Sequence, residues 1–224
     1  HLKNIDPYND HLLDYFNAYQ ILLKKFDSIP VNEPGQINLL GWNLSYVCGS
    51  TLLGQIDATF IRGLNNFISD NDHPLILDCG SNIGLTILDY KRTYPKSQVI
   101  AFEPDESFLP VLRQNIINNN VSDVKVIDAA VWIENGMAEW FQEGLDGSHL
   151  GIGKKNYAPS TVVRSIDFGD FLNQPIDFIK MDIEGAEYEV IKHVKDKLHF
   201  VKALSIECHI NQSSIIGFSE MLVC

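Results

Sequence analysis

Five short apolar runs recur along this chain, and each stops at an acid. They are Leu75-Ile76-Leu77-Asp78, Gln98-Val99-Ile100-Ala101-Phe102-Glu103, Val124-Lys125-Val126-Ile127-Asp128, Phe178-Ile179-Lys180-Met181-Asp182 and Ala203-Leu204-Ser205-Ile206-Glu207. Runs this short and continuous read as strands buried on both faces, the pattern of a parallel sheet. Helical spacing fills the gaps, at Ile83, Ile87, Tyr90 and Tyr94, at Leu109, Leu112 and Ile116, and at Val190, Ile191, Val194 and Leu198. This alternation predicts an α/β fold with a doubly wound, mostly parallel sheet and right-handed crossovers. In such a sheet ligands bind beyond the carboxyl ends of the strands. The acids that close the runs therefore mark a site.

The remaining chain is organised around that sheet. Residues 1–70 read as an extension: a helix with Leu12, Phe16, Tyr19, Leu23 and Phe26 on one face, then a hairpin, then a second helix. The hairpin joins Ile37-Asn38-Leu39 to Leu44-Ser45-Tyr46-Val47, with Gly41-Trp42-Asn43 between. The second helix starts from Ser50 or Thr51 as cap and carries Leu53, Ile56, Phe60, Leu64 and Phe67. Residues 71–224 carry the sheet. Val131–Arg164 breaks the rhythm, with strand-like pieces at Ala138-Glu139-Trp140-Phe141 and Thr161-Val162-Val163, and reads as an insertion over the mouth of the sheet, and Ser165-Ile166-Asp167 as the start of a short helix. After Ile215 too few residues follow for another strand and helix.

Composition narrows the function classes. The chain has 224 residues, 45% of them hydrophobic, enough to bury a sizeable core. Its formal charge is −12 and no basic run is visible, which argues against a nucleic-acid partner. The cysteines at 48, 79, 208 and 224 show neither C-x-x-C spacing nor nearby histidine pairs, so reduced thiols are expected rather than a zinc site. No run of about eighteen apolar residues and no leader pattern are present, so the expected setting is cytoplasmic, without a membrane span. The oligomeric state is not encoded in any pattern here.

The first run opens into Asp78-Cys79-Gly80-Ser81-Asn82-Ile83-Gly84, a strand, a tight turn and a helix start. Gly80 and Gly84 let the backbone turn and a ligand approach, and Asp78 and Asn82 are placed to face that ligand. Glu103 lies 19 residues beyond Gly84, where the acid ending a second strand reaches ribose hydroxyls. A dinucleotide fingerprint would place glycine at Asn82 and Leu85, and a phosphate-binding G-x-x-x-x-G-K-[ST] loop is absent. An acid-rich cleft better suits a ligand with an amine and a positive centre, such as S-adenosylmethionine. A nicotinamide-dependent oxidoreductase and a donor-binding domain without catalysis are the alternatives.

Asp78-x-Gly80-x-Asn82-x-Gly84, Phe102-Glu103-Pro104, Ser165-Ile166-Asp167, Lys180-Met181-Asp182-Ile183-Glu184-Gly185-Ala186-Glu187 and Glu207-x-His209 resemble the motif series of FkbM-type S-adenosylmethionine-dependent methyltransferases, from about Leu75 to Ile210. The resemblance implies a class I methyltransferase, Rossmann-like fold and O-methylation of hydroxyl groups on sugars, glycans or natural-product small molecules, with S-adenosylhomocysteine as product. It implies that Asp78, Gly80, Asn82, Glu103 and Asp128 hold the donor, with Ser81, Gly84 and Asp182 counted beside them. A base for the acceptor hydroxyl is sought among Asp182, Glu184 and His209. Lys180 reads as an ion-pair partner of Glu207. Asp182, Glu207 and His209 offer a set of donors for a hard divalent cation, but no metal is assigned.

Overall fold

The computed structural model describes residues 33–142, 148–150 and 161–209, together with six helical residues between Leu13 and Lys24. In chain order the elements are β1 (Gly35–Leu39), β2 (Trp42–Tyr46), α1 (Gly49–Ile56), β3 (Leu75–Cys79), α2 (Leu85–Thr93), β4 (Gln98–Phe102), α3 (Leu109–Asn118) and β5 (Val124–Ile127). Then follow β6 (Ala130–Trp132), β7 (Gly136–Gln142), β8 (Ser148–Leu150), β9 (Thr161–Asp167), β10 (Phe178–Met181), α4 (Glu187–Val194) and β11 (Leu204–Ile206). The chain forms two compact units. The first comprises His1–Pro74, Ser81–Val99 and Glu106–Lys125; the second comprises Leu75–Gly80, Ile100–Asp105 and Val126–Cys224.

In the first unit, β1 and β2 pair antiparallel through a two-residue turn, Leu40-Gly41, with φ of 55° and 86°. Two left-handed residues give the turn whose twist matches a hairpin, so Trp42 heads β2 and does not lie in the turn as its sequence neighbours suggest. Register places Gln36 opposite Ser45 and Asn38 opposite Asn43 on one face, and Ile37 opposite Leu44 on the other. The apolar face buries Leu39 and Leu44 among Leu52, Ile56, Phe60, Ile83, Leu85 and Leu88.

Helix α3 braces the edge of β2 with two asparagines one turn apart. The Ser45 N–H donates to Asn115 Oδ1 at 2.7 Å and Asn115 Nδ2 donates back to the Ser45 carbonyl at 3.0 Å. Asn119 repeats the pair on Asn43, at 2.7 and 3.1 Å. Two strand residues advance about 6.7 Å and one helical turn about 5.4 Å, close enough for side-chain amides to substitute for a third strand. Asn115 Nδ2 also donates to the Ile83 carbonyl at 2.9 Å.

The second helix stops short of its expected end. Cys48, not Ser50 or Thr51, is the N-cap, and Thr51 Oγ1 donates back to the Cys48 carbonyl. Beyond Ile56 the helix widens into a π turn, Asp57–Ile61, which closes as the Arg62 and Leu64 N–H groups donate to Asp57 and Ala58. Phe67 lies past it and is buried by stacking on Tyr94, with ring centroids 4.9 Å apart.

The second unit is built on the five-stranded sheet, in the order β11-β10-β3-β4-β5. From β3 the chain steps outward through β4 and β5, then returns to the other side of β3 for β10 and β11. The order reverses between β3 and β10, whose pairing is parallel and sets Lys180 opposite Asp78 and Met181 opposite Cys79. Such a reversal opens a crevice at the carboxyl ends of the strands. The expected α/β class is therefore what the chain forms.

The segment read as an insertion is, in its described parts, a second sheet of order β6-β9-β7-β8. Trp140, Leu150, Val163 and Ile166 share one core with Leu77, Phe102, Ile179 and Met181. Ser165-Ile166-Asp167 completes β9 and opens no helix; the Asp167 carboxylate accepts the Gly169 N–H at 2.7 Å and caps the 3-10 turn that follows. Truncating Asn115, 1% exposed, strands the Ser45 N–H and the Ile83 carbonyl. Asn115→Ala is expected to lose about 2–4 kcal/mol in urea unfolding. Asn119→Ala, at a more exposed position, is expected to lose about 1 kcal/mol or less.

Candidate functional site

The strand-order reversal is held by one buried cation. Lys180 is 5% exposed, and its Nζ donates to the Gly80 carbonyl at 2.6 Å and the Cys79 carbonyl at 3.4 Å. Asp182 Oδ2 lies 3.4 Å from it and Asp78 Oδ1 3.8 Å. Burial opposes the charge on Lys180, but Asp182 and Asp78 outweigh it and hold the ammonium above its ordinary pKa. The expected pairing of Lys180 with Glu207 is thus replaced by pairs with Asp78 and Asp182. Register explains it, since Asp78 is the residue directly across the parallel ladder.

Gly80 is fixed by the same contacts. Its φ is +81°, and a Cβ there would stand 1.9 Å from the Asp182 carbonyl oxygen. No other residue fits where the β3 and β10 loops touch. In the first unit the chain continues through Ser81 and Asn82 to Gly84, whose N–H donates to the Ser81 carbonyl at 2.8 Å and whose φ of +87° opens α2. The predicted tight turn and helix start are present.

Glu103 follows β4 and is 5% exposed, with one carboxylate oxygen accepting the Asp105 N–H at 2.8 Å. Asp105 is itself buried, and Trp140 Nε1 of β7 donates to its carboxylate at 3.4 Å. Asp105 lies past the end of its apolar run, and no pattern singles it out. Asp128, by contrast, is exposed at the end of the edge strand β5, and its backbone carbonyl accepts from Arg164 Nε.

The third group gathers after β10. Glu184 and Gly185 have φ of +56° and +102°, so the segment Ile183–Ala186 is a turn, and α4 opens only at Glu187. Glu187, 1% exposed, curls back: one carboxylate oxygen accepts the Ile183 and Gly185 N–H groups at 3.0 and 3.1 Å. His209 sits between two glutamates, Nδ1 3.2 Å from Glu187 Oε1 and Nε2 3.2 Å from Glu184 Oε2. The hydrogen bond that His209 donates to Glu187 is the main cause raising the His209 pKa to about 9, against its partial burial. Burial raises Glu184 to about 7, with the His209 charge opposing and Asp182, Glu187 and Glu207 adding. Glu187 is also pushed up by burial, but His209 and the Gly185 and Ile183 N–H groups bring it below the usual range.

Glu187 is the functional group that sequence reading missed. Its signal was available: an acid at the first helical position, close after a glycine turn, reaches back to free N–H groups. Among the described residues the donor atoms that converge within 4.8 Å of one another are those of Asp182, Glu187 and His209, so Glu187 takes the place expected of Glu207 in that set.

With this geometry in view, the comparisons are specific. A model of the Methyltransferase FkbM domain family matches residues 78–220, more than half of the chain. Methyltransferase sdnD of Sordaria araneosa is 29% identical over 56% of this chain and 62% of its own length. Methyltransferase 1 of Beauveria bassiana (strain ARSEF 2860) is 26% identical over 56% and 60%. The chain spans about three fifths of the length of these curated relatives. The crystal structure of methyltransferase FkbM from Methylobacillus flagellatus KT superposes with a TM-score of 0.51 at 16% identity, over 97% of this chain and 54% of that one, a likeness of fold.

Two outcomes follow from the geometry. Gly80→Ala is expected to cost at least about 2 kcal/mol, read from the urea midpoint, because it adds a clash with backbone to a left-handed φ. The raised pKa of His209 contributes stability that is complete below its ordinary 6.5 and lost as pH rises through about 9. Glu184 acts with the same sign between its ordinary 4.5 and about 7. Urea midpoints measured across pH are therefore expected to fall from acid to alkaline, and His209→Gln to flatten the upper window while leaving most of the lower one.

Proposed function

The chain belongs to the FkbM methyltransferase family, and from that premise we propose that it is an S-adenosylmethionine-dependent O-methyltransferase, acting on a hydroxyl group of a sugar, a glycan or a natural-product small molecule. The observation that carries the reading is the buried carboxylate of Glu103 at the end of β4, beside the strand whose Gly80 N–H donates to the Phe102 carbonyl. A carboxylate there accepts the two hydroxyls of a ribose. Asp78 and Asp182, fixed by Lys180, give the neighbouring strand ends the negative potential that favours an ammonium and a sulfonium. Gly80 lets the Asp182 carbonyl close on the loop, Ser81, Asn82 and Gly84 follow it in the donor loop, and Asp128 marks the end of the next strand.

In the reaction the acceptor oxygen attacks the methyl carbon as the carbon–sulfur bond breaks, its electron pair staying on sulfur. S-adenosylhomocysteine leaves, and the acceptor's proton must go to a base. Alignment in line supplies much of the rate, on the order of 7–11 kcal/mol. Of the three expected candidates, Glu184 is best suited as that base. Its pKa of about 7 leaves it ionised yet basic near neutrality, whereas His209 is a cation until about pH 9 and Asp182 is engaged with Lys180. His209, bridging Glu184 and Glu187, positions the base.

Calorimetry with S-adenosylhomocysteine tests the donor assignment. Glu103→Ala is expected to weaken binding at least about tenfold, the worth of one hydrogen bond to a charged group, while NAD gives no heat. Absence of binding by the unaltered chain would sink the reading. Labelled methyl transfer into a metabolite extract tests the base: Glu184→Gln is expected to lower it by about 10²–10⁴-fold with the homocysteine product still bound.

A further inference from the structure

The outer face of the hairpin is unlike the rest of this acidic chain. Gln36 and Asn38 on β1 and Asn43 and Ser45 on β2 share one face by register, and with Asn118 of α3 they wall a hollow of about 440 Å³. The other lining residues are Ile37 and Leu44, so no ionisable side chain borders it. That volume lies within the usual range of small-molecule sites, about 300–1,000 Å³. In a chain of formal charge −12, a neutral wall of four primary amides and a hydroxyl is a selective surface.

Its chemistry names a ligand class. A primary amide carries two donors and a carbonyl acceptor, the complement of hydroxyls that donate and accept in pairs. Two wall contacts fix the side chains: Asn38 Nδ2 donates to Asn43 Oδ1 at 3.0 Å and Gln36 Nε2 to Ser45 Oγ at 3.3 Å. Each such bond uses one donor of an amide that has two, which leaves capacity for a ligand. A phosphorylated ligand would need a cation here, and a flat apolar one an aromatic wall; the lining has neither.

The hollow is also stiff. Asn115 and Asn119 hold the main chain of Ser45 and Asn43, so little ordering is left for a ligand to impose. The amide that holds Ser45 donates as well to Ile83, inside the turn from Ser81 to Gly84. Asn115 thus bonds both a strand that walls the hollow and that turn. We propose that the hollow binds a neutral polyhydroxylated ligand, a sugar ring held through adjacent hydroxyls.

Saturation-transfer NMR on the full chain tests it, with the methyl α-pyranosides of glucose, mannose and galactose as probes and S-adenosylhomocysteine titrated separately. At least one glycoside is expected to bind with Kd on the order of 1 mM. Gln36→Leu with Asn38→Leu is expected to weaken it at least about tenfold, the loss of two neutral hydrogen bonds, with homocysteine-product affinity unchanged. Asn38→Ser provides a milder second variant should the double one unfold, and is expected to weaken the glycoside measurably. Silence of all three glycosides overturns the inference, as does binding that persists unchanged in the variants. Failure of S-adenosylhomocysteine to bind, whatever the glycosides do, counts against the methyltransferase reading instead.

Discussion

The structure of the second unit depends on the ammonium of Lys180, buried where the sheet reverses direction. Removing one partner of a buried ion pair costs about 3–5 kcal/mol, because the charge left behind has lost its water. Asp78 and the carbonyls of Cys79 and Gly80 are therefore as necessary to Lys180 as it is to them. The consequence runs outward. The carbonyl contacts fix the path of the chain leaving β3, that path brings Gly80 against the Asp182 carbonyl, and the approach admits only glycine. Asp78 is fully buried beside that ammonium.

A second electrostatic arrangement separates the roles of two glutamates that share one histidine. Glu187 is wrapped by backbone N–H groups and stays ionised below the usual carboxylate range, whereas burial lifts Glu184 to about 7. Environments that push two carboxylates apart are the means by which one site holds a fixed anion and a proton acceptor together. His209 links them and, as a cation, offsets part of the repulsion among Asp182, Glu184 and Glu187.

How much of this the sequence disclosed depends on the range of the interaction. Strand ends were legible because a buried parallel strand must finish in residues that tolerate its open mouth, and Glu103 and Asp182 stand where their runs predict, whereas Asp78 lies inside β3 and is fully buried. Pairings were not. Lys180 faces Asp78 and Asp182 rather than Glu207 because parallel register, a property of two segments a hundred residues apart, decides which side chains meet. Glu187 was hidden for a different reason: periodicity credits a helix with its first residues, while here the turn before it is left-handed and the acid folds back on it. Asp167 shows a third kind of ambiguity, since one residue both ends β9 and caps the next turn. In the four-stranded sheet the strand-like pieces Ala138–Phe141 and Thr161–Val163 lie within β7 and β9, but its strands run in mixed directions, so no single period marks their assembly.

The asparagines of α3 address a problem that a two-stranded hairpin always raises, an edge with unsatisfied backbone groups that invites another strand. Proteins often blunt such an edge with charge. Here Asn115 and Asn119 satisfy it with amides, and the outer face of the hairpin is built from amides too. A lysine or glutamate at those positions would protect the edge equally well and would also impose a field on whatever lies against the hairpin. Neutral protection matters if the reaction joins a cationic donor to an uncharged hydroxyl: the donor is drawn to carboxylates, while the acceptor is selected by hydrogen-bond geometry alone. Carboxylates gather at the buried ends of the parallel strands, and uncharged amides on a hairpin held rigid by the same chemistry.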